Sequence, residues 1–232
     1  MTLIITSEHA FPDIPEKYSS LFINDPDVLK THEAFDPGSF NLFEKIGELA
    51  DYKYHQKIGR LLIESNRSVW HKSLFSRYSK HLSPPEKKSI IETYYNAYRD
   101  EVISAIDSCI KNGGSVFHLS VHSFTPVLNN IVRNADIGLL YDPQRFTEKK
   151  LARDWKKLML SYKPGLNVRY NYPYLGKADG FTTALRKRHS SGYIGIELEV
   201  NQKWVSNNKM HPDITNLIYH SLEEIKKRPE YY

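Results

Sequence analysis

Apolar positions along the chain fall into short runs and helical stripes that alternate from one end to the other. Residues 3–6 read as a short buried strand, and Phe40, Leu42, Phe43, Ile46 and Leu49 recur at helical spacing. Residues 52–58 suit the next strand, and Leu61-Leu62-Ile63 forms a further apolar run. The clearest helix runs from Ser83 to about Lys111. Ser83 and Glu86 make a capping box, with prolines in the first turn. Ile91, Tyr94, Tyr95, Tyr98, Val102, Ala105, Ile106 and Cys109 follow one face, and Gly113-Gly114 stops it. Residues 115–121 carry bulky side chains on both faces, as a strand covered by helices on both sides requires. A helix over 148–161, strands near 166–170 and 193–200, and a last helix over 212–227 complete the pattern. The alternation predicts one α/β domain over residues 1–232, a mixed or largely parallel sheet with helices on both faces. Ligands of such sheets bind beyond the carboxyl ends of the strands, so polar residues there come first.

Composition narrows the class. With 40% hydrophobic and 25% charged residues, the chain matches neither a disordered tail nor a collagen. No apolar run reaches the ~18–20 residues of a membrane span, and the first residues lack the pattern of a signal peptide. The single cysteine, Cys109, excludes an intrachain disulfide and a cysteine-based zinc cluster, which favours the cytoplasm. A net charge of +5 is modest, and Lys149-Lys150, Lys156-Lys157 and Arg186-Lys187-Arg188 read as solvated helix faces. Neither nucleic acid nor membrane is an expected partner.

Three strand ends carry candidate chemistry. Ser7-Glu8-His9-Ala10 follows the first strand, and Val121-His122-Ser123-Phe124 ends the strand beginning at 115. In the strand near 193–200, alternation puts Glu197 and Glu199 on one face. Imidazoles and a carboxylate meeting at one sheet edge suit a catalytic zinc site, with a separate carboxylate as general base. His55, His71, His81, His189, His211 and His220 read as ordinary surface or core residues, and His118, deeper in its strand, as structural. Glu64-Ser65-Asn66-Arg67-Ser68 offers an arginine fork with an asparagine beside it, suited to a carboxylate. The ring- and glycine-rich stretch 171–183 reads as a loop over a ligand.

At these residues the sequence resembles the N-formylglutamate amidohydrolase family. The matching blocks include Ser7-Glu8-His9-Ala10, His32-Glu33-Ala34-Phe35-Asp36-Pro37-Gly38, Glu64–Ser68, Leu119–Pro126, Asn134–Gly138, 171–183 and Glu197–Gln202, in the family's order. The family in turn resembles the zinc carboxypeptidases in fold and site layout. The resemblance implies one zinc ion bound by His9 and His122, with Glu199 as general base and Glu197 behind it. It implies an Asn66-Arg67 grip on a substrate carboxylate. Carboxypeptidases carry a glutamate ligand three residues after the first histidine, where this chain has Pro12. Asp36 is therefore the preferred third ligand, with Glu8 and Asp13 next, and Glu64 a hydrogen-bond acceptor from a ligand histidine. Asn171, Lys177 and Arg186 are further candidates for substrate contact. The implied substrate is a small carboxylate-bearing N-acyl amino acid. The alternatives are a small peptide or cell-wall amide, or a binding protein on the same scaffold.

Overall fold

A computed structural model of the chain describes residues 1–228 and Tyr231. Its strands are β1 (Thr2–Ser7), β2 (Tyr52–His55), β3 (Val116–Phe124), β4 (Val127–Leu128), β5 (Ile131–Val132), β6 (Ile137–Leu140), β7 (Val168–Tyr170), β8 (Tyr193–Asn201), β9 (Val205–Ser206) and β10 (Lys209–Met210). The helices are α1 (Ser39–Ile46), α2 (Pro84–Ile90), α3 (Ala97–Lys111), α4 (Phe146–Tyr162), α5 (Phe181–Arg188) and α6 (Pro212–Lys226). A sheet with the order β2-β1-β3-β8-β6-β7 forms the centre, and β4-β5 and β9-β10 are small hairpins. The strands β2, β1, β3 and β8 are mutually parallel. β6 pairs antiparallel to β8 and parallel to β7, so the sheet is mixed and mainly parallel.

Side-chain alternation gives the two faces different work. Leu3 and Ile5, Phe117, Leu119 and Val121, and Ile194, Ile196, Leu198 and Val200 point to one face. There they pack against α1, α4 and α6 around Trp155, the largest fully buried side chain. On the other face Ile4, Val116 and Tyr193 pack against Val102 and Ile106 of α3 and Phe181 and Leu185 of α5. Farther along the same face, towards the carboxyl ends, the residues turn polar: Thr6 in β1, His118, Ser120 and His122 in β3, Glu197 and Glu199 in β8. All nine residues of β3 are buried, as its two-sided bulk predicts.

The segment beginning at Ser83 is helical to Lys111, with a π-helical stretch, Ile91–Asn96, between α2 and α3. The capping box at Ser83 and Glu86 forms. At the other end Gly113, at φ +79°, donates to Ile110 O and Gly114 to Cys109 O, the Schellman arrangement that leaves the helix axis. Leu61-Leu62-Ile63 forms no strand; it is a buried turn. The hydrophobic pattern predicts neither β6 nor α5: four residues of strand and an apolar stripe of Phe181, Ala184 and Leu185 are too short to announce themselves. Among the described residues no helix is long and apolar enough to cross a membrane.

Gly138 in β6 marks where the 171–183 loop closes on the sheet. A Cβ built there would lie 1.9 Å from the Tyr172 carbonyl oxygen and 3.3 Å from the Glu199 Cβ. The backbone oxygen cannot yield as a flexible side chain does. Gly138→Ala is expected to destabilise the protein by about 1–3 kcal/mol, the usual range for overpacking, measured by urea denaturation.

Candidate active site

The pairing register of β3 and β8 sets His122 beside Glu199 and Ser120 beside Glu197, while β1 brings Thr6 beside Ser120. Below them His118 bonds Thr6 Oγ1 at 2.8 Å and the Tyr193 hydroxyl at 2.7 Å. Burial pushes its pKa down to about 4, so at neutral pH it is an uncharged part of the floor.

Above this floor two imidazoles and a carboxylate meet. The rings of His9 and His122 lie 4.8 Å apart, edge to face. Asp36 Oδ2 is 3.3 Å from His9 Nδ1 and 2.9 Å from His122 Nδ1. Asp36 arrives from the turn before α1. Its N–H donates to His9 O at 3.0 Å, and the Ser123 N–H donates to its Oδ2 at 3.3 Å. One potential ligand atom from each of His9, Asp36 and His122 lies within 4.8 Å of the others. A nitrogen–oxygen–nitrogen set of this kind suits a borderline divalent cation.

The far nitrogens of both rings are occupied. His9 Nε2 lies 2.5 Å from Glu64 Oε1, and His122 Nε2 lies 2.8 Å from Ser120 Oγ and 3.2 Å from Glu8 Oε2. Glu64 also accepts from the Asn66 N–H at 3.0 Å and pairs with Arg60 Nη2 at 2.6 Å. Glu8 accepts from Ser120 at 2.6 Å and from the Tyr98 hydroxyl at 2.7 Å. Such acceptors fix ring orientation and tautomer, so both Nδ1 atoms are held toward Asp36. Burial raises the carboxyls of Glu8, Asp36 and Glu64, but their partners prevail. His122 and Ser120 hold Glu8 well below the carboxylate range, His9 and His122 do so for Asp36, and Arg60 and His9 for Glu64. Burial opposes charge on His122, yet Asp36 and Glu8 raise its pKa well above the ordinary value. Glu199 differs. Burial drives it up to about 8, with Asp36 and Glu197 adding to the rise and His122 opposing it. Its Oε2 is buried without a hydrogen-bond partner among the described residues.

A cavity of about 280 Å³ opens over these groups, lined also by Asn66, Arg67, Tyr174, Leu175, Ala178, Asp179 and Glu197. A hollow of about 400 Å³ adjoins it across Asp36, Arg60, Arg67, Ser123 and Tyr174. Asn66 accepts from the Phe181 N–H at 2.8 Å, and its Nδ2 lies 3.5 Å from His122 Nε2. Arg67 donates through Nη1 to the carbonyls of Asn66 and Asp179. Its turn is pinned from α3 and the π-helical stretch: Tyr95 and Arg99 donate to Arg67 O, and Arg99 also to Ser65 O.

Three expected substrate contacts lie elsewhere. Arg186 is buried against Glu148, 2.9 Å away, and donates to Gly176 O and Gly195 O, so its fork is committed to the fold. Asn171 spends its Oδ1 on the N–H groups of Tyr141 and Gly176, shaping its own loop. Lys177 is exposed and absent from the cavity lining. Asp13, a candidate ligand, is also exposed, and Glu8 sits behind His122 rather than beside Asp36. Arg60 escaped sequence reasoning, although its i,i+4 spacing to Glu64 was a usable signal. So did the step Ile4-Thr6-Glu8, which puts Glu8 on the polar face.

The sequence model of the N-formylglutamate amidohydrolase family matches residues 1–205. The chain belongs to the N-formylglutamate amidohydrolase family. Among solved structures, a gene product from Agrobacterium tumefaciens superposes with TM-score 0.76 at 24% identity, over 97% of this chain and 92% of its own. An N-formylglutamate amidohydrolase from Ralstonia eutropha JMP134 superposes with TM-score 0.70 at 17% identity, over 98% and 94%. At these identities the likeness concerns the fold. A metallo-carboxypeptidase from Burkholderia cenocepacia reaches only TM-score 0.39 at 10% identity, over 97% of this chain and 56% of its own, too distant to carry an argument. No curated protein matches the sequence.

The raised pKa of Glu199 makes the metal-free stability of this amidohydrolase-family chain pH-dependent. Between about pH 4.5 and 8 the folded chain keeps a proton on Glu199 that the unfolded chain has released, so this group's contribution falls as pH rises. Glu199→Gln is expected to lose less stability than the parent between pH 5 and pH 8, by on the order of a few kcal/mol. Denaturation of both metal-free proteins across that range measures it.

Proposed function

We propose that the chain is a metal-dependent amidohydrolase that cleaves the amide of an N-acyl amino acid such as N-formylglutamate. The observation that carries this reading is the His9–Asp36–His122 donor set beside the unpartnered, buried Oε2 of Glu199. The donors fit a divalent ion such as zinc. Both ring Nδ1 atoms face the Asp36 carboxylate, each far nitrogen is backed by an acid, and Glu8, Asp36 and Glu64 outnumber the guanidinium paired with them, that of Arg60. His9, Asp36 and His122 would hold the ion, which supplies Lewis acidity towards a carbonyl and lowers the pKa of water.

The chain's own groups do the rest. Glu199, across the strand pair from His122, takes a proton from water through Oε2 and delivers it to the leaving nitrogen. Arg67 offers Nε and Nη2, which have no partner among the described residues, to a substrate carboxylate. Holding that carboxylate fixes the amide near the reacting groups. The adjoining hollow of about 400 Å³ favours, as a second reading, a longer acyl group or a small peptide in place of a formyl group.

Purified protein is expected to hold about one transition metal per chain, by analogy with mononuclear hydrolase sites. His9→Ala and His122→Ala should lose that metal together with hydrolysis, and Glu64→Gln should weaken metal affinity by about 10–100-fold. Normal metal content in both histidine variants would mislocate the site. In a panel of N-formyl, N-acetyl and longer N-acyl amino acids, Arg67→Ala should reduce kcat/KM for carboxylate-bearing substrates by about 10–100-fold, with neutral amides little changed. An unchanged preference would remove Arg67 from that role. Absence of any metal-dependent hydrolysis would favour a binding protein.

A further inference from the structure

One acid in the cavity has no part in the reaction above. Glu197 stands two residues before Glu199 on the same face of β8 and lines the same cavity. Its Oε1 accepts from the Thr182 hydroxyl in the first turn of α5. Arg186, fixed by Glu148, lies 3.4 Å from that hydroxyl, so the expected substrate contact at Arg186 supports Glu197 from behind. Glu197 Oε2 has no hydrogen-bond partner among the described residues.

A free carboxylate oxygen is a liability in a cavity that takes a carboxylate-bearing molecule. It repels the ligand unless the ligand also brings a donor or a positive charge to it. The reaction generates both. Hydrolysis breaks the amide C–N bond and forms a C–O bond, and both protons of the water finish on nitrogen. The acyl group leaves as a carboxylate and the amino acid with a free ammonium, with no oxidant or reductant involved. Two residues along a strand span roughly 6.6–6.8 Å. A scissile amide can therefore lie between the two acids, its carbonyl carbon towards Glu199 and its nitrogen towards Glu197.

We propose that Glu197 is the acceptor for the nitrogen side of the scissile bond: Oε2 takes the amide N–H of the bound substrate and then holds the ammonium of the amino-acid product. This rests on the amidohydrolase reading and adds a specificity to it. The cavity prefers products with a free α-amino group, and tertiary amides, which lack the N–H, bind poorly.

The test uses the metal-loaded protein and calorimetric binding of the amino acid released from its best N-acyl substrate, against the desamino analogue. For N-formylglutamate these are glutamate and glutarate. The parent should prefer the amino acid by about 10–100-fold, the worth of one charge-assisted hydrogen bond. Glu197→Gln should bring that preference to within about threefold, with the desamino analogue bound as tightly as before or more so. Thr182→Val, which frees Glu197 without removing it, should lower the preference partway and provides an independent route to the same answer. An undiminished preference in Glu197→Gln overturns the inference. So does loss of turnover with the preference intact, which would make Glu197 a base instead. Both outcomes leave metal-dependent hydrolysis by the parent standing, whereas its absence removes the amidohydrolase reading itself.

Discussion

Carboxylates taken out of water must be met by positive charge or by hydrogen-bond donors, and that requirement organises this molecule. Glu8, Asp36 and Glu64 are buried within a few ångströms of two imidazoles and one guanidinium. Each is answered by a named donor: Tyr98 and Ser120 for Glu8, the Ser123 N–H for Asp36, and Arg60 and the Asn66 N–H for Glu64. Glu199 is the exception. It is buried among them with no hydrogen-bond donor among the described residues, and its proton affinity rises accordingly. The site satisfies three acids and leaves a fourth without a donor among the described residues, an asymmetry that raises the proton affinity of that one acid.

The sheet makes this concentration of charge tolerable. One face is apolar along its length and packs on three helices, so most of the core is independent of the polar groups. The other face is apolar only at its starting end and becomes progressively more polar toward the strand ends. His118 stands at the transition, neutral and saturated by Thr6 and Tyr193. The helices on this side have two tasks. Phe181, Val102 and Ile106 close the apolar part, while Tyr98 and Thr182 donate to acids of the polar part and Tyr95 and Arg99 to carbonyls of the adjoining Glu64–Ser68 turn.

Much of this was legible in the sequence where the signal was local. Period-two alternation was enough to set Glu197 and Glu199 on one face, and the position of His122 at a strand end pointed towards the cavity. The capping box at Ser83 and the glycine pair after Lys111 marked both ends of the long helical segment. What stayed hidden depends on contacts distant in sequence. Nothing near Arg186 announces Glu148, 38 residues away, so a buried structural arginine resembled a surface one. The places of Arg60 against Asp36 and of Glu8 behind His122 emerge only in the folded chain. The short elements β6 and α5 hold too few apolar positions for a periodicity to emerge.

The π-helical stretch Ile91–Asn96 has a consequence for how this chain can change. A widened turn holds one more residue than an α-helix needs, and here the surplus falls on a segment where Glu92 and Thr93 face solvent. Losing one of those two would remove no packed side chain. It would let the segment close into a regular α-helix with Ile90 still turned to Leu62 and Leu74, whereas winding the present residues as a regular α-helix would put Ile90 about 100° out of phase with Tyr98 and Arg99. The widened turn therefore absorbs the spare residue: it lets these residues, as one helical rod, serve both the hydrophobic cluster under the Glu64–Ser68 turn and the acid behind His122, which the same residues wound as one regular spiral would not reach together.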